Sequence, residues 1–146
     1  SNVIRKTIDE IKSIAERKNI ELSFDPSDAD GVTVFGDEER LQQVLINLIN
    51  NAIKYTPEKG SVKISLEIKE KEVTVTIEDT GIGIPAKDLP RIFERFYRVD
   101  KTRSRDVGGS GLGLSIVKHI LEAHSSQIRV ESEFNKGSRF EFNLKR

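Results

Sequence analysis

The nine residues Asn47–Tyr55 read Asn-Leu-Ile-Asn-Asn-Ala-Ile-Lys-Tyr, which sets carboxamides, an ammonium and a phenol inside a strongly apolar run. Apolar residues in and before this run recur at helical intervals and would share one face of a helix: Leu41, Val44, Leu45, Leu48 and Ala52. Asn47, Asn51 and Lys54 would lie together to one side of that face. Because buried amides are costly unless they are paired, this cluster is either a ligand site or the polar solvent edge of a helix. The segment alone leaves both interpretations open.

The composition of the chain limits the classes of protein to which it can belong. Its 146 residues are enough for one domain with a sizeable core. The 24 basic residues balance the 24 acidic ones, and this neutral net charge argues against a protein whose whole surface binds nucleic acid. The absence of cysteine excludes disulfides and thiolate metal sites and suits a reducing cytosol. No apolar run approaches the roughly 18–20 residues of a membrane span.

The chain also contains no methionine, and it begins Ser1-Asn2. Such a start is typical of a cloning scar, and we therefore expect the chain to be an excised piece of a longer protein. We find no internal repeat and no linker that would divide it. Residues 1–146 are expected to form a single domain.

Apolar residues at helical spacing predict three main helices and one short helical piece. These segments are Val3–Lys18, a helix containing Asn47–Tyr55, a short piece near Leu89–Phe96, and Leu112 to about His124. Asp37 stands where the N-cap of the second helix should be. Thr56-Pro57 marks the end of that helix, because the residue before a proline avoids helical geometry.

Alternating apolar and polar residues predict strands that are joined by charged or glycine-containing turns. The predicted strands are Ile20–Phe24, Val32–Phe35, Ser61–Ile68, Val73–Ile77, Gln127–Glu133 and Ser138–Leu144. Strand pairs set against three helices suggest one sheet with the helices on a single face.

A glycine loop, Asp79–Pro85, directly follows one predicted strand and reads Asp-Thr-Gly-Ile-Gly-Ile-Pro. The carboxylate of Asp79 can accept a hydrogen bond from the exocyclic amine of adenine, where guanine would present a carbonyl. Gly81 and Gly83 would let the backbone approach a flat ring. The alternative is an Asx turn with a flexible loop, which is the more frequent origin of an isolated D-x-G-x-G pattern.

The same loop fits the G-x-G-x-x-A pattern of dinucleotide-binding folds through Gly81, Gly83 and Ala86. That interpretation fails, because no long crossover helix follows Pro85. It also lacks a second parallel strand that would bring a ribose-binding acid about twenty residues later.

A second glycine loop, Gly108–Leu114, leads into the third predicted helix. Free N–H groups at a helix start, with the positive end of the helix dipole, form an anion site. The loop is not a P-loop, because Leu114 follows Gly113 where a lysine and a hydroxyl residue are needed. Six basic residues stand against two acidic ones between residues 91 and 105. Such an excess suits a polyphosphate or marks a solvated surface, and the two stay open.

Together these segments resemble one family, the ATP-binding catalytic domain of bacterial sensor histidine kinases, in the superfamily shared with gyrase B, Hsp90 and MutL. Asn47–Tyr55 resembles its N box, Asp79–Gly83 its first glycine box and Gly109–Gly113 its second. Phe93–Arg98 resembles the F box, and Gly137-Ser138 is similar to the closing glycine–hydroxyl motif. Each motif is weak alone, but five in this order and at this spacing are specific.

The resemblance implies an α+β fold of the Bergerat type, an α/β sandwich in which a mixed, mostly antiparallel sheet of about five strands carries three main helices on one face. It also implies a mobile ATP lid at about residues 97–110, which hold few apolar side chains to anchor them. Phe93 and Phe96 would pack under this lid. Residues 1–146 would then be the ATP-binding catalytic domain alone, without the dimerisation domain.

At the base end of the site, the resemblance implies that Asp79 binds the adenine amine and that Ser138 helps through a water molecule. Gly81 and Gly83 would shape the base pocket. The other implied ATP-binding residues, apart from those at the phosphate end, are Ile84, Tyr97, Ser110, Gly111, Leu112, Gly113 and Leu114.

At the phosphate end, the resemblance implies that Asn51 ligates a Mg²⁺ ion bridging the phosphates and that Asn47 lies beside the metal. An amide oxygen is a hard, neutral donor that suits such an ion. Lys54 would pair with phosphate oxygens, Tyr55 would lie against the nucleotide, and Arg98 would reach the terminal phosphate as it transfers. ATP and Mg²⁺ are the implied cofactors, with Arg98 and Asn47 in catalytic roles.

Asn47 distinguishes two functions within the superfamily. The switch ATPases place a glutamate at this position, where it activates water, and a carboxamide cannot take up that proton. We therefore expect poor ATP hydrolysis and transfer of the γ-phosphate to a histidine on a separate dimerisation domain, for onward transfer to a response regulator. His119 and His124 lack the sequence context of that histidine and are expected to be ordinary helix residues.

The resemblance also implies the partners and the location of the protein. The partners would be the parent's own histidine-bearing dimerisation domain, upstream of this chain, and the receiver domain of a response regulator. No nucleic-acid partner is expected. The parent would be a homodimer in the bacterial cell membrane, with this domain in the cytoplasm. Two rival functions are an ATP-driven conformational switch of the Hsp90 or MutL kind and a nucleotide-binding regulatory domain without catalysis.

One departure from the family pattern concerns the end of the third helix. Relatives often carry Gly-Gly where this chain has Ser125-Ser126. Glycine would permit a positive φ there, so the serines are expected to cost some stability without affecting nucleotide contacts.

Overall fold

The computed structural model describes residues 2–25, 29–99 and 112–146. Within these ranges the helices are α1 (Asn2–Arg17), α2 (Glu38–Tyr55) and α3 (Gly113–Ala123). The strands are β1 (Glu21–Phe24), β2 (Ser61–Ile68), β3 (Glu72–Asp79), β4 (Arg129–Glu133) and β5 (Gly137–Lys145). The three main helices are confirmed, each with ends within one residue of the predicted ones.

The five strands form one sheet in the order β1-β2-β3-β5-β4. β1 pairs with β2 in parallel, and the other neighbouring pairs are antiparallel. Parallel neighbours need a crossover connection, and α2 lies in the connection between β1 and β2. The predicted mixed, mostly antiparallel sheet is confirmed.

The core lies between the sheet and the helices. In the pairing of β3 with β5, Val75 lies opposite Phe142 and Ile77 lies opposite Phe140, and all four side chains are buried. α2 packs on β2 and β3 and lies between α1 and α3. Because alternate residues of a strand share a face, Asp79 at the end of β3 lies on the same, helix-facing side as Val75 and Ile77.

The start of α2 follows the capping pattern that its sequence predicts. Asp37 has an extended backbone (φ −80°, ψ 116°), and its side chain accepts a hydrogen bond from the backbone N–H of Arg40. Glu38 and Glu39 occupy the first turn, where the positive end of the helix dipole favours acidic side chains. The helix therefore begins at a defined residue, which sets the rotation of the later asparagines.

One local prediction is wrong, and a second holds only in part. Val32–Phe35 is not a strand: Val32 and Val34 pack against the core, but the segment makes one backbone bond to the sheet, from Phe35 N–H to Lys145 O at 2.8 Å. Burial alone explains the alternation of its apolar residues, since a strand requires a repeated ladder. The helical piece near Leu89–Phe96 is reduced to one turn of 3-10 helix at Leu89–Arg91.

The structure also corrects the expected packing of Phe96. Phe93 is partly buried and packs against the core, whereas 68% of the surface of Phe96 is exposed. Phe96 has a left-handed backbone with φ 62°, which turns the chain at this point and carries the ring away from the core.

No helix within the described ranges combines the length and the apolar character that a membrane crossing requires.

Candidate nucleotide-binding site

The last turn of α2 is closed by groups from outside the helix. A helix end leaves four carbonyl groups without helical partners. Here the Thr56 hydroxyl donates to Ala52 O at 2.6 Å, and the Lys18 ammonium donates to Ile53 O at 2.9 Å and to Lys54 O at 2.7 Å. Partial burial lowers the pKa of Lys18. The helix therefore ends rigidly at the point where Lys54 and Tyr55 are presented.

The fourth of these carbonyls joins α2 to the first glycine loop. Tyr55 O accepts a hydrogen bond from Ile82 N–H at 3.0 Å. A Cβ at Gly81 would lie 2.5 Å from Tyr55 O and 2.8 Å from an oxygen of Asp79, so this approach requires glycine at position 81. The loop and the helix are thus locked together, as expected if both border one ligand.

Asp79 is a buried carboxylate with one oxygen bonded and one free. Only 7% of its surface is exposed. Its Oδ1 accepts hydrogen bonds from Gly81 N–H at 2.8 Å and from Ser138 N–H at 3.3 Å. Burial raises the pKa of Asp79, while these two bonds act in the opposite direction. Among the described residues no donor reaches Oδ2, which leaves an acceptor available to a ligand amine.

Three side chains form a row across the end of the sheet. Asp79 lies opposite Ser138 on β5, and Ser138 lies opposite Ser132 on β4. The Ser132 Oγ accepts a hydrogen bond from Ile84 N–H at 2.7 Å and lies 2.9 Å from Gly137 O and 2.8 Å from Ser138 Oγ. Sequence reasoning missed Ser132, because a single serine in a strand carries no motif until the register is known.

The structure shows a requirement for glycine at position 83 other than the expected approach to a flat ring. Its φ is +68°, and a Cβ there would lie 2.1 Å from Glu133 O. Asn135 N–H also donates to Ile82 O at 2.7 Å. Gly83 is therefore required by the close approach of the loop to the turn between β4 and β5, which holds the loop beside Asp79.

The asparagines of α2 are half-buried and unpaired. Among the described residues, neither the Asn47 nor the Asn51 side chain has a hydrogen-bond partner. Asn47 Oδ1 lies 3.7 Å from the position that a Cβ on Gly113 would occupy, so this amide faces the start of α3. The pair offers neutral oxygen and N–H groups beside a helix N-terminus, a combination that suits phosphate and a hard cation.

Two cations lie close together at the end of α2. The pKa of Lys54 is lowered first by burial and then by the positive charge of Arg98. Within the described part of the chain, neither residue forms a salt bridge. Lys54 Nζ lies 6.0 Å from the centre of the exposed Tyr55 ring. Unpaired neighbouring cations repel one another, so a bound polyanion would stabilise both.

Tyr97 is engaged within its own segment. Its hydroxyl donates to the buried carboxylate of Asp88, which raises the pKa of Tyr97, and the Arg91 guanidinium lies over its ring at 4.4 Å. The structure therefore brings Tyr97 to Asp88, and its hydroxyl is used there. Arg98, the next residue, is the one brought near Lys54.

The start of α3 is described from Leu112 onward. Leu112 holds the N-cap position without a side-chain capping bond, Ser115 Oγ donates to Leu112 O at 2.8 Å, and Leu114 packs against the core. Gly113 is the residue that faces Asn47. Ser110, Gly111 and residues 100–110 of the expected lid lie outside the described residues.

His124 has a structural role. Its Nε2 accepts a hydrogen bond from Asp37 N–H at 3.0 Å, and its Nδ1 lies 2.8 Å from Ile120 O. The first contact requires an acceptor and the second a donor, so the ring is neutral with its proton on Nδ1. This contact joins the end of α3 to the start of α2, whereas His119 is an exposed residue of α3.

The donor set limits how a metal could be held. Within the described ranges there is no cluster of three or more histidine, cysteine or acidic residues. The amide oxygens of Asn47 and Asn51 fit an ion that receives its other ligands from phosphate and water. They do not fit a site that the protein alone would fill.

Comparison with known proteins agrees with this geometry. The family model described as histidine kinase-, DNA gyrase B- and HSP90-like ATPases matches residues 36–146. The match covers well over half of the chain, from Gly36 to the last residue. The chain belongs to this family of ATP-binding domains, and its sheet and helices have the arrangement of histidine kinase catalytic domains.

The relatives are sensor kinases. The chain is 46% identical over 110 residues to the sensor histidine kinase WalK of Bacillus subtilis. The matched region covers 74% of this chain and 18% of WalK. The catalytic domain of histidine kinase ThkA is 31% identical with a TM-score of 0.81, over 99% of this chain and 92% of that one. Full-length ShkA in complex with AMPPNP is 30% identical with a TM-score of 0.82, over 98% of this chain and 29% of that one.

ThkA also matches in complex with the response regulator protein TrrA, at 31% identity and a TM-score of 0.80, over 99% of this chain and 39% of that one. The chain spans less than a third of the length of WalK and of the Pseudomonas aeruginosa phosphate regulon sensor PhoR.

Proposed function

We propose that this domain binds Mg-ATP and donates its γ-phosphate to a histidine on a separate dimerisation domain of the same sensor kinase. The observation that carries the proposal is the pairing of two different ends in one site. A buried carboxylate with a free oxygen, Asp79, stands at one end. Unpaired cations, Lys54 and Arg98, stand at the other.

The base would bind at the sheet end. Oδ2 of Asp79 would accept a hydrogen bond from the adenine amine, which a guanine carbonyl cannot provide. Ser138 would contribute through a water molecule, and the Gly81 backbone would lie close to the ring. The family of the chain and the AMPPNP complex of ShkA support a purine triphosphate as ligand.

The phosphates would follow α2. Asn47 and Lys54, with Asn51 between them, are seven positions apart, or about 10 Å along a helix, which is a length that suits a triphosphate chain. Asn51 would be the protein ligand of Mg²⁺, and a bound magnesium ion would neutralise part of the phosphate charge. Asn47 would hold the phosphates beside the free N–H groups at the start of α3. Lys54 and Arg98 would balance the charge on the terminal phosphate during transfer.

Asn47 favours a kinase over a switch ATPase. A carboxamide cannot take a proton from water, so the site would hold ATP for an external nucleophile. Turnover of ATP by this chain alone at the rate of a switch ATPase would support the rival function.

The remaining parts of the proposal concern the parent protein. The phosphorylated histidine would pass its phosphate to the receiver domain of a response regulator, and the ThkA–TrrA complex supports this class of partner. The parent would be a homodimer in the bacterial cell membrane, with this domain on the cytoplasmic side.

The test is to add radiolabelled ATP to this chain together with the parent's upstream helical segment. We expect label on that segment that is lost in acid and stable in alkali, as a phosphohistidine is. Asn47→Asp with the same segment should lose transfer, and Glu78→Gln, a change on the opposite face of β3, should retain it. Label that appears only as free phosphate would contradict the proposal.

A further inference from the structure

The hydroxyl of Ser132 has more hydrogen-bonding neighbours than it has protons. It lies 2.7 Å from Ile84 N, 2.9 Å from Gly137 O and 2.8 Å from Ser138 Oγ. A backbone N–H can only donate and a carbonyl can only accept. The one proton of Ser132 therefore goes to Gly137 O, and its first lone pair accepts from Ile84 N–H.

This assignment determines where the proton of Ser138 lies. Ser132 has one lone pair left, and Ser138 is the remaining neighbour. The Ser138 hydroxyl must donate to Ser132, because Ser132 has no second proton to give. Ser138 Oγ then offers only lone pairs to anything that approaches from the cleft.

The whole row at the end of the sheet consequently presents acceptors. Asp79 Oδ1 is filled by the backbone N–H groups of Gly81 and Ser138, and its Oδ2 remains an acceptor. Asp79, Ser138 and Ser132 occupy paired positions on three neighbouring strands, so their side chains lie on one face. No side chain of this row has a proton to offer to a ligand.

We propose that Ser132 is a specificity-determining residue that makes the base pocket select a purine with an amine at C6 over one with a carbonyl. An amine can donate to Asp79 Oδ2, whereas a carbonyl oxygen there would face its lone pairs without a proton between them. The water between Ser138 and the base would donate one proton to Ser138 Oγ, which leaves its other proton for N1 of the ring. N1 accepts that hydrogen bond in adenine, but it already carries a proton in a purine with a carbonyl at C6. Ser132 acts through Ser138 and is a positioning residue, since it need not touch the base. The proposal rests on the proposed function, in which the base binds at Asp79.

The test compares ATP with inosine triphosphate, which carries a carbonyl at C6 and a proton on N1. Isothermal calorimetry would give both dissociation constants for the wild type, Ser132→Ala and Ser132→Thr. In Ser132→Ala the Ser138 proton is released and can donate to the bridging water, which can then accept from the N1–H of inosine, so the preference for ATP should fall by about tenfold, the effect of one redirected hydrogen bond. Ser132→Thr keeps the hydroxyl and should keep the wild-type preference.

A purely structural role for Ser132 predicts a different result. Loss of packing would weaken ATP and inosine triphosphate together and leave their ratio unchanged, which would overturn the proposal. Ser65→Ala is the matched control, because Ser65 is a half-buried strand serine whose position alternates with the helix-facing Ile64 and Leu66. Its ratio should equal that of the wild type.

Ser138→Ala provides an independent test if Ser132→Ala fails to fold. If Ser138 is an acceptor, its removal should lower the preference for ATP. If Ser138 instead donates a proton toward the base, its removal should raise that preference, and the proposal is wrong. Failure of the wild type to bind ATP would contradict the proposed function itself. An unchanged ratio with ATP binding intact would remove only the role of Ser132.

Discussion

The two ends of the proposed site differ in how far the protein alone completes them. At the sheet end, backbone N–H groups fill one oxygen of Asp79, and the hydroxyls of Ser138 and Ser132 are bonded to one another. At the helix end, the side chains of Asn51 and Lys54 have no hydrogen-bond or ion-pair partner among the described residues. The first end is formed before a ligand binds, and the second is completed by the ligand.

The two ends also differ in which charge is unfavourable in the ligand-free domain. The sheet end buries a carboxylate whose pKa is raised, so the folded domain carries an unfavourable charge that an amine would relieve. The helix end holds two cations near each other, and the pKa of Lys54 is lowered. An anion would relieve that repulsion. Specificity for the base should thus be built into the fold, while affinity for phosphate should depend on charge.

The largest effect should come from breaking the contact that holds the glycine loop at the sheet end. In Gly83→Ala, a new Cβ would lie 2.1 Å from Glu133 O at a backbone with φ +68°. We expect a loss of about 2–4 kcal/mol in the free energy of unfolding, measured by urea denaturation. Gly31→Ala is the control, because its φ is +70° but no atom lies within 4 Å. Equal losses in the two variants would show that the contact contributes nothing.

The next effect concerns the carboxylate. Asp79→Asn should weaken ATP binding by about 1.5–3 kcal/mol, the contribution of a charged hydrogen bond, as measured by calorimetry. The same variant should raise the stability of the ligand-free domain at neutral pH, since it removes a buried charge and keeps an oxygen for the Gly81 and Ser138 N–H groups. Glu131→Gln, at an exposed position of β4, should change neither quantity appreciably. Unchanged ATP affinity in Asp79→Asn would refute the assignment of the adenine amine to Asp79.

The pH dependence of that stability gain follows from the direction of the pKa shift. The folded pKa of Asp79 lies above its ordinary value of 3.8, so the folded chain binds this proton more tightly than the unfolded chain. The stabilising contribution is present below the unfolded pKa and is lost as the pH rises through the folded pKa. The gain from Asp79→Asn should therefore be smallest below pH 3.8 and grow as the pH rises. A gain that is independent of pH would contradict the shift.

A smaller effect is expected at the helix end. Lys54→Gln should weaken ATP by about 1–2 kcal/mol through loss of a charged hydrogen bond in a partly exposed position, and it should leave stability unchanged or slightly higher. The loss should shrink at high salt. Lys63→Gln, on an exposed strand position, is the control. A large loss of stability in Lys54→Gln would mean that this end is also completed by the protein.

The lowered pKa of Lys54 gives this prediction a second readout. As the pH rises into the alkaline range, Lys54 loses its proton below the ordinary value of 10.5, and ATP affinity should fall with it. Lys54→Arg should hold its affinity over the same range, because a guanidinium stays charged. Parallel profiles for the two proteins would contradict a phosphate contact by Lys54.

The smallest effect should arise away from both ends. Ser125 follows α3 with φ 55°, which confirms the expected positive φ at this position. Ser125→Gly should raise the free energy of unfolding by about 0.5–1 kcal/mol without changing ATP affinity. Ser13→Gly, in the middle of α1, should lower stability by about 0.5–1 kcal/mol. A loss of stability in Ser125→Gly would show that its backbone is not strained.

Local patterns predicted what depends on neighbours in the chain. The apolar spacing of α2 and its Asp37 cap gave both ends of the helix correctly, and the alternation of β2 and β3 gave their pairing. Val32–Phe35 alternates in the same way, yet it is not a strand, because the pattern cannot tell whether a partner strand is free. The apolar character of Phe96 suggested burial, but its left-handed backbone decides its exposure.

Contacts between distant residues were beyond the reach of such patterns. Lys18 caps a helix that ends 37 residues later in the chain, and nothing in the sequence around Lys18 marks this role. Ser132 gains its importance only when the β4–β5 register places it opposite Ser138. The residues of the motifs could be recognised in the sequence, because binding a ligand requires particular side-chain types at a fixed spacing. The residues that hold them are selected by geometry, which appears only in the folded chain.

The closure of the last turn of α2 has a consequence for amide hydrogen exchange. Helix ends usually fray, and their amides exchange through small local openings. Here the final turn cannot open without releasing Lys18, which directly follows α1, and the Ile82 amide of the glycine loop. The amide protons of Ile53, Lys54 and Tyr55 should therefore exchange at rates set by opening of the whole domain, and they would serve as native reporters of its global stability.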